Sequence, residues 1–345
     1  MKAALIGRCL TDQERKPLNR LAAELLQSTI KNRGFPSYYF HNFLYRNGVE
    51  NHVDYITDRE IRRIKPFVLN KELEHFFSNK LLFHLSFEET DIKLPDLIGY
   101  NVGNRFVTKQ RAGKPLSPDL NEALRVLPGL TDAGYVFIKP INGGKGRGCV
   151  KLTEEATDHE IDSIQARLSD ASYIFEEGLA QHPILNELYP HSVNTARVVS
   201  CRLNDGSIHL LAAKLRVGQG NMVIDNSSAG GMSVHIDLNS GQLGDSAMMP
   251  YKKSCKIIGC HPDTGVRFSG FTLPDIEKMK RLVLKASVHL PYRLIGWDVA
   301  FANEGPVLIE GNDRPHISGS ELVYGGLRKN PVFRRFLKEA EERVT

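Results

Sequence analysis

The chain has 345 residues, of which 41% are hydrophobic, 25% charged and 8% aromatic, the balance of a globular protein with room for two or three subdomains. The net charge of +5 comes without a dense Lys/Arg run interleaved with aromatics, which suits an anionic small substrate and gives no sign of nucleic-acid binding. No window approaches the ~18 apolar residues of a membrane span, and the apolar run after Met1 is too short for a signal peptide.

Residues 1–78 read as mostly helical. Leu18, Leu21, Leu25 and Leu26 recur at helical spacing, and so do Leu69, Leu73, Phe76 and Phe77. The aromatic stretch between them, with Phe35, Tyr38, Tyr39, Phe40, Phe43 and Tyr45, reads as core packing. The cysteines at 9, 149, 201, 255 and 260 contain no CxxC pair, so free thiols in a reducing cytosol are expected. Cys255, Cys260 and His261 offer three zinc ligands but no fourth. From residue 80 the texture changes to short strands and turns. Residues 93–100 read as a turn and strand, 111–119 as a Gly/Pro loop, and 135–140, 149–153 and 172–178 as strands, with a helix over 154–168. Strands dominate after residue 195, and a final helix is expected over 332–343. The expected units are 1–78, 79–130, 131–178 and 179–345.

Two stretches carry chemistry. In FIKPINGGKGRGCVKL, Gly143, Gly144, Gly146 and Gly148 are interleaved with Lys145 and Arg147. Glycines let successive N–H groups curl around an anion, and the cations favour phosphate. Lys145 is followed by Gly146 where a Walker A loop needs Ser or Thr, and a strand rather than a helix follows, which excludes a dinucleotide fingerprint. A strand, phosphate loop, strand unit remains, able to close over a nucleotide; a plain mobile hairpin fits the same pattern. Lys139, at the end of the preceding strand, needs an anionic partner or solvent.

The second stretch is LIGWDVAFANEGPVLIEGND. Residues 294–301 and 306–310 read as strands joined by a turn at Asn303-Glu304-Gly305. A turn centred on Glu304 sets Asp298 opposite Glu310, with Asn312 on the same face. Like charges directly opposed destabilise a hairpin. Two arrangements fit: a hard divalent cation between the carboxylates, or both acids turned to solvent on an edge hairpin.

The order of Lys80, Lys139 with GGKGRG, IFEEG, NTARVV, AAKLRVG, then Asp298 and EGN resembles the ATP-grasp superfamily. SVNTARVV, KLRVG, DNSSAGG, GWDVAF and GPVLIEGND look most similar to its sugar-transfer-associated branch, over roughly residues 30–330. The resemblance implies an α+β fold in which two α+β subdomains grip ATP, behind a helical N-terminal region. In those terms 79–130 is the N-terminal subdomain, 131–178 the glycine-rich lid and 179–345 the core with the metal site. Lys80 and Lys139 would contact phosphate and the adenine side. Gly143, Gly144, Lys145, Gly146, Arg147 and Gly148 would cover the phosphates. Glu176 or Glu177 would approach the adenine amino group, and Gln181 stands in for the acid that usually holds ribose. Arg197, Lys214 and Arg216 would face the γ-phosphate. Asn194, Asn226, Gly230, Gly231 and His316 would line the acceptor pocket. Asp298, Glu310 and Asn312 would hold two Mg²⁺ ions, with Mn²⁺ an alternative.

The implied activity is carboxylate–amine ligation through an acyl-phosphate, on a small-molecule acid and amine, with a sugar acid or amino acid of surface-polysaccharide synthesis as one partner. Phosphoryl transfer asks for Mg²⁺ and surrounding cations more than for covalent chemistry by the protein. A kinase on the same scaffold and a non-catalytic ATP-binding module are the alternatives. An amine dependence of ADP release separates the first two, and retained metal ligands argue against the third.

Overall fold

The computed structural model describes residues 2–69, 71–73, 75–109, 116–144, 146–225, 230–249 and 256–343. Lys145, Asn226 and Cys255 lie outside these residues. The chain begins with helices α1 (Lys2–Thr11), α2 (Leu18–Asn32), α3 (Ser37–His41), α4 (Asp58–Val68) and α5 (Lys80–Ser86). It continues with β1 (Leu97–Val102), β2 (Arg105–Thr108), α6 (Leu120–Val126), β3 (Tyr135–Pro140), β4 (Val150–Thr153), α7 (Asp158–Ser169) and β5 (Tyr173–Glu177). Then follow α8 (Pro183–Leu188), β6 (Thr195–Arg202), β7 (Ile208–Val217), β8 (Met232–Ile236), β9 (Leu243–Met248) and β10 (Ile257–Ile258). The last elements are α9 (Ile276–His289), β11 (Leu294–Ala302), β12 (Gly305–Asn312), α10 (Ile317–Tyr324) and α11 (Pro331–Glu342).

The N-terminal region is helical, and its aromatic stretch is core, as the composition suggested: Tyr38, Tyr39, Phe40, Phe43 and Tyr45 are all buried. The apolar spacing of Leu69 to Phe77 does not make one helix. α4 stops at Val68, where Leu69 turns to extended backbone, and among the described residues a 3₁₀ turn follows at Lys71–Leu73. α7 starts at Asp158 rather than 154, because Thr157 and Glu160 form a capping box.

Two antiparallel sheets organise the rest. The smaller has the order β2-β1-β5-β3-β4, so strands from both 79–130 and 131–178 share it. Its even-numbered β3 residues, Val136 and Ile138, pack with Leu120, Leu124, Ile161 and Leu168 under α6 and α7. Alternation then turns Tyr135, Phe137 and Lys139 to the opposite face. The larger sheet has the order β10-β9-β8-β7-β6-β11-β12. Ala196, Val198, Ala213, Leu215, Trp297 and Val299 pack on one of its faces against Met279 and Val283 of α9. The other face meets α4, α10 and α11 through Val199, Cys201, Phe333 and Phe336, with Phe67 against Phe336 at 5.3 Å. Beyond that second core, this face is polar.

The β11–β12 hairpin contains a feature that the alternation did not reveal. Ala302 pairs with Gly305, so the loop is Asn303-Glu304 alone and the register near the turn differs from one centred on Glu304. Val299 pairs with Leu308, yet Asp298 pairs with Glu310. The extra residue is Ile309, a β-bulge. The expected pairing of the two acids therefore holds, through a bulge that offsets the shorter turn.

Candidate active site

The site lies between the open face of the small sheet and the polar part of the large one. A cavity of about 260 Å³ is lined by Tyr135, Phe137, Lys139 and Glu176 from the first, and by Arg216, Asp298 and Glu310 from the second. Lys80, Lys151, Gly144, Gly146, Arg147, Glu177 and Gln181 also line it.

On the small-sheet wall, adjacent strands β3 and β5 bring Lys139 against Glu176, Nζ to Oε2 at 2.5 Å, with both side chains buried. His84 of α5 approaches the other oxygen of Glu176, Nε2 to Oε1 at 2.7 Å. Burial alone would raise the Glu176 pKa, but Lys139 and His84 outweigh it and bring it down to about 2. Lys139 thus has the anion its position demanded, and Glu176 is held by protein. Glu177 accepts from the Asp132 N–H at 2.8 Å. Lys80, at the start of α5, donates from Nζ to the Gly143 carbonyl at 3.1 Å. Burial lowers its pKa, with Glu310 opposing.

The glycine loop follows Lys139. Gly143, Gly146 and Gly148 have φ of 133°, 68° and 75°, backbone that favours glycine. A Cβ on Gly146 would meet Ile224 Cδ1 at 2.6 Å, so the loop rests on the segment after β7 from the opposite wall.

On that wall, neighbouring strands β7, β6, β11 and β12 carry Arg216, Arg197, Asp298 and Glu310 on one face. Arg197 grips Asp298 with Nε and Nη2, the latter at 2.8 Å. Arg216 Nη2 stands 3.0 Å from Asp298 Oδ2. Burial opposes the charge of Asp298, but Arg197 and Arg216 prevail and lower its pKa. The cations beside the Asp298 carboxylate are therefore these two guanidinium groups. Glu310 differs: burial and then Asp298 raise its pKa, against Arg197 and Lys80. Asn312 places Nδ2 3.3 Å from the Gly296 carbonyl and 3.5 Å from Glu310 Oε1. Lys214 shares the face behind them. Burial, then Arg197 and Arg216, push its pKa down to about 7.

Several expected residues stand outside the cavity wall: Arg197, Lys214, Asn312, Gly143, Gly148, Gly230, Gly231, Asn194 and His316. Asn194 is buried, its side chain donating to Gln181 Oε1 and the Tyr189 carbonyl. Gln181 Nε2 in turn donates to Asn186 Oδ1 and the Tyr189 carbonyl, so this amide pair bridges the chain after β5 to the start of β6. A Cβ on Gly231 would meet the Asp225 carbonyl at 2.4 Å. His316 is exposed at the start of α10. Both ring nitrogens of His261 bond within the chain, to the Gly218 carbonyl and the Asp263 N–H. Among the described residues no group of three His, Cys, Asp or Glu gathers as a metal site.

Sequence reasoning did not find Asp225 or His84. Asp225 lines the cavity, is buried, and accepts from the Thr195 N–H at 2.8 Å. Its pKa is raised by burial, with Arg216 opposing. His84 lies 92 positions from Glu176, a distance that no local pattern spans.

The family model described as sugar-transfer associated ATP-grasp matches residues 59–332. The chain belongs to this family, and its two sheets around a cleft are the ATP-grasp fold. Among solved structures it is similar to D-alanyl-alanine synthetase A from Vibrio cholerae, at 15% identity over 78% of this chain and 65% of that one, with a TM-score of 0.47. It is also similar to the ADP complex of purK, an N5-carboxyaminoimidazole ribonucleotide synthetase, at 14% identity over 70% and 46%, with a TM-score of 0.42. The chain thus spans less than two thirds of the length of either. No curated protein matches it.

Proposed function

We propose that this protein is an ATP-dependent carboxylate–amine ligase that binds MgATP in the cleft. The observation that carries the reading is the pairing of opposite walls: lysines and a positive-φ glycine loop on one, and Asp298, Glu310 and Arg216 on the other, 1 cavity apart.

The donor set suits a hard cation. Two carboxylates and an amide oxygen are the ligands Mg²⁺ prefers, and burial and the facing Asp298 hold the Glu310 pKa up, a cost that a cation there would offset. Glu310, Asp298 and Asn312 would hold the metal, one or two ions of Mg²⁺ or Mn²⁺, which when bound supplies charge neutralisation at the phosphates. The loop N–H groups, Lys80 and Lys139 bind the triphosphate, and Phe137 and Tyr135 offer apolar surface to the base. Arg216 is the cation of its trio that reaches the cavity; Arg197 orients Asp298, and Lys214 stands behind both. A substrate carboxylate oxygen attacks the γ-phosphorus and ADP leaves, giving an acyl-phosphate. The amine nitrogen then attacks the acyl carbon, phosphate leaves, and the amine proton passes to a base. Asp225 faces the cavity, and its raised pKa suits it to take that proton. The family's link to sugar transfer supports a sugar acid or amino acid of surface-polysaccharide synthesis as one partner.

Glu310→Gln keeps shape and removes one charge of the opposed pair. Apo stability should be unchanged or rise by a few tenths of a kcal/mol, while amine-dependent ADP release should fall at least ~100-fold, about 2.7 kcal/mol of transition-state stabilisation. The assay is an ADP-release screen over pooled carboxylates and amines with Mg²⁺, run beside a thermal melt. Release without amine would favour a kinase, and full activity of the variant would end the metal assignment.

A further inference from the structure

The N-terminal helices lie apart from the cleft, and α1, α2 and α3 fall outside the family match. Three of the four buried residues of α2 are polar, Leu21 being the fourth. Its inward positions include Glu24, Ser28 and Asn32, tied down by Lys16 Nζ to Glu24 Oε2 at 2.7 Å, Tyr39 Oη to the same oxygen, and Asn32 Nδ2 to the Phe35 carbonyl. Its outward positions carry Leu18, Leu26 and Ile30, 59%, 63% and 69% exposed. Those three, at spacings of eight and four, form one stripe along the helix. Leu18 also borders an open apolar groove of about 350 Å³ shared with Ile6 and Leu10 of α1 and with Phe35. Ile6 and Leu10 are themselves 42% and 53% exposed. A helix that internalises polar side chains and presents leucines outward is built to be covered.

The charge around it says by what. Residues 1–33 hold seven Lys or Arg and three acids. Lys16 and Glu24 meet in the interior, and Arg20 pairs with both Glu24 and Glu50. The two remaining acids, Asp12 and Glu14, are both engaged by Arg46, at 2.9 and 3.1 Å. Lys2 stands over the Phe35 ring, 5.5 Å from its centroid, at the rim of the groove, and Arg15 Nε caps the Leu10 carbonyl. Arg33 closes α2 beyond Ile30. An apolar stripe flanked by Lys2, Arg15 and Arg33 repels a second copy of itself. It complements a surface that is anionic at the top and hydrocarbon beneath, the pattern of helices that lie in a membrane interface.

We propose that α1 and α2 dock this protein on an anionic lipid bilayer, with Leu18, Leu26, Ile30 and the groove residues entering the headgroup boundary. The active-site cleft has no part in this surface, so docking does not depend on the ligase reading. The test is co-sedimentation of the full chain with phosphatidylcholine vesicles and with vesicles containing phosphatidylglycerol. Partitioning should be at least tenfold stronger on the anionic vesicles and should weaken with added salt, which screens charge beyond a Debye length of ~8 Å at physiological strength. Leu18→Ser/Leu26→Ser/Ile30→Ser should lose tenfold or more of that partitioning at an unchanged melting temperature, since the three side chains are exposed. Val102→Ser, 59% exposed on the small sheet, should bind as the parent does. Absence of binding, or equal binding to neutral vesicles, overturns the proposal. So does a concentration-dependent dimer that the triple variant abolishes, which would make the stripe a contact between copies.

Discussion

Lys139 illustrates how far single residues can be read. A lysine ending a buried strand needs an anion or solvent, and it has the anion: Glu176, which with Glu177 was the residue expected near the adenine amino group. Removing Lys139 alone strands Glu176 in the interior with His84. Lys139→Met should therefore destabilise the fold by ~3–5 kcal/mol, the scale of breaking a buried pair. Lys139→Met/Glu176→Gln should recover most of it, because no lone charge remains. Denaturant melts of both variants check this, and nucleotide binding should be weak in each. Glu321 makes a different point. It is buried and accepts from the Ile56 and Leu327 N–H groups, both at 3.0 Å. Burial outweighs those bonds and pushes its pKa up from 4.5 to about 8. Between these values the native state keeps a proton that the unfolded chain has released, so Glu321 makes stability fall as pH rises through that window. Glu321→Gln should flatten this part of the profile and raise stability at pH 8, read from melting temperature against pH. Nothing in the sequence near Glu321 foretold this, since its two donors come from 265 positions earlier and six later.

At the scale of elements, most strands were legible because alternation and β-branching are local. The strand expected at 135–140 is β3, and the hairpin acids face each other. The helix supposed near residue 73 was not there, because apolar spacing alone does not say where a helix ends. The bulge at Ile309 was invisible because two-residue and three-residue turns read alike. Gly311, at the end of β12, shows why the carboxylate strand tolerates little change. A Cβ there would meet the Phe77 ring at 2.2 Å. Gly311→Ala should cost about 1–3 kcal/mol, as overpacking does, and displace Glu310 and Asn312. Activity should fall further than the loss of folded protein accounts for, measured as ADP release per folded molecule.

For the whole molecule, the ATP-grasp frame could be read from the order of motifs, whereas the closure of the cleft could not. The glycine loop of one unit reaches the Ile224 side chain of the other, a contact between segments about 80 positions apart that no periodicity encodes. Since both walls meet at the cavity, a ligand that binds only the native state should stabilise the two together. MgATP at a hundredfold excess over its Kd should add ~2.7 kcal/mol, and ATP with EDTA much less; thermal shifts with and without metal decide it. The bulge in β12 carries a consequence for how such chains vary. Leu308 faces the core while Ile309 and Glu310 both line the cavity. A relative that lacked one residue at 309 would still set its glutamate against its aspartate, since the inner register simply runs on. What it would lose is the apolar wall beside them. Length variation at this spot therefore leaves the reaction in place and changes which molecules fit.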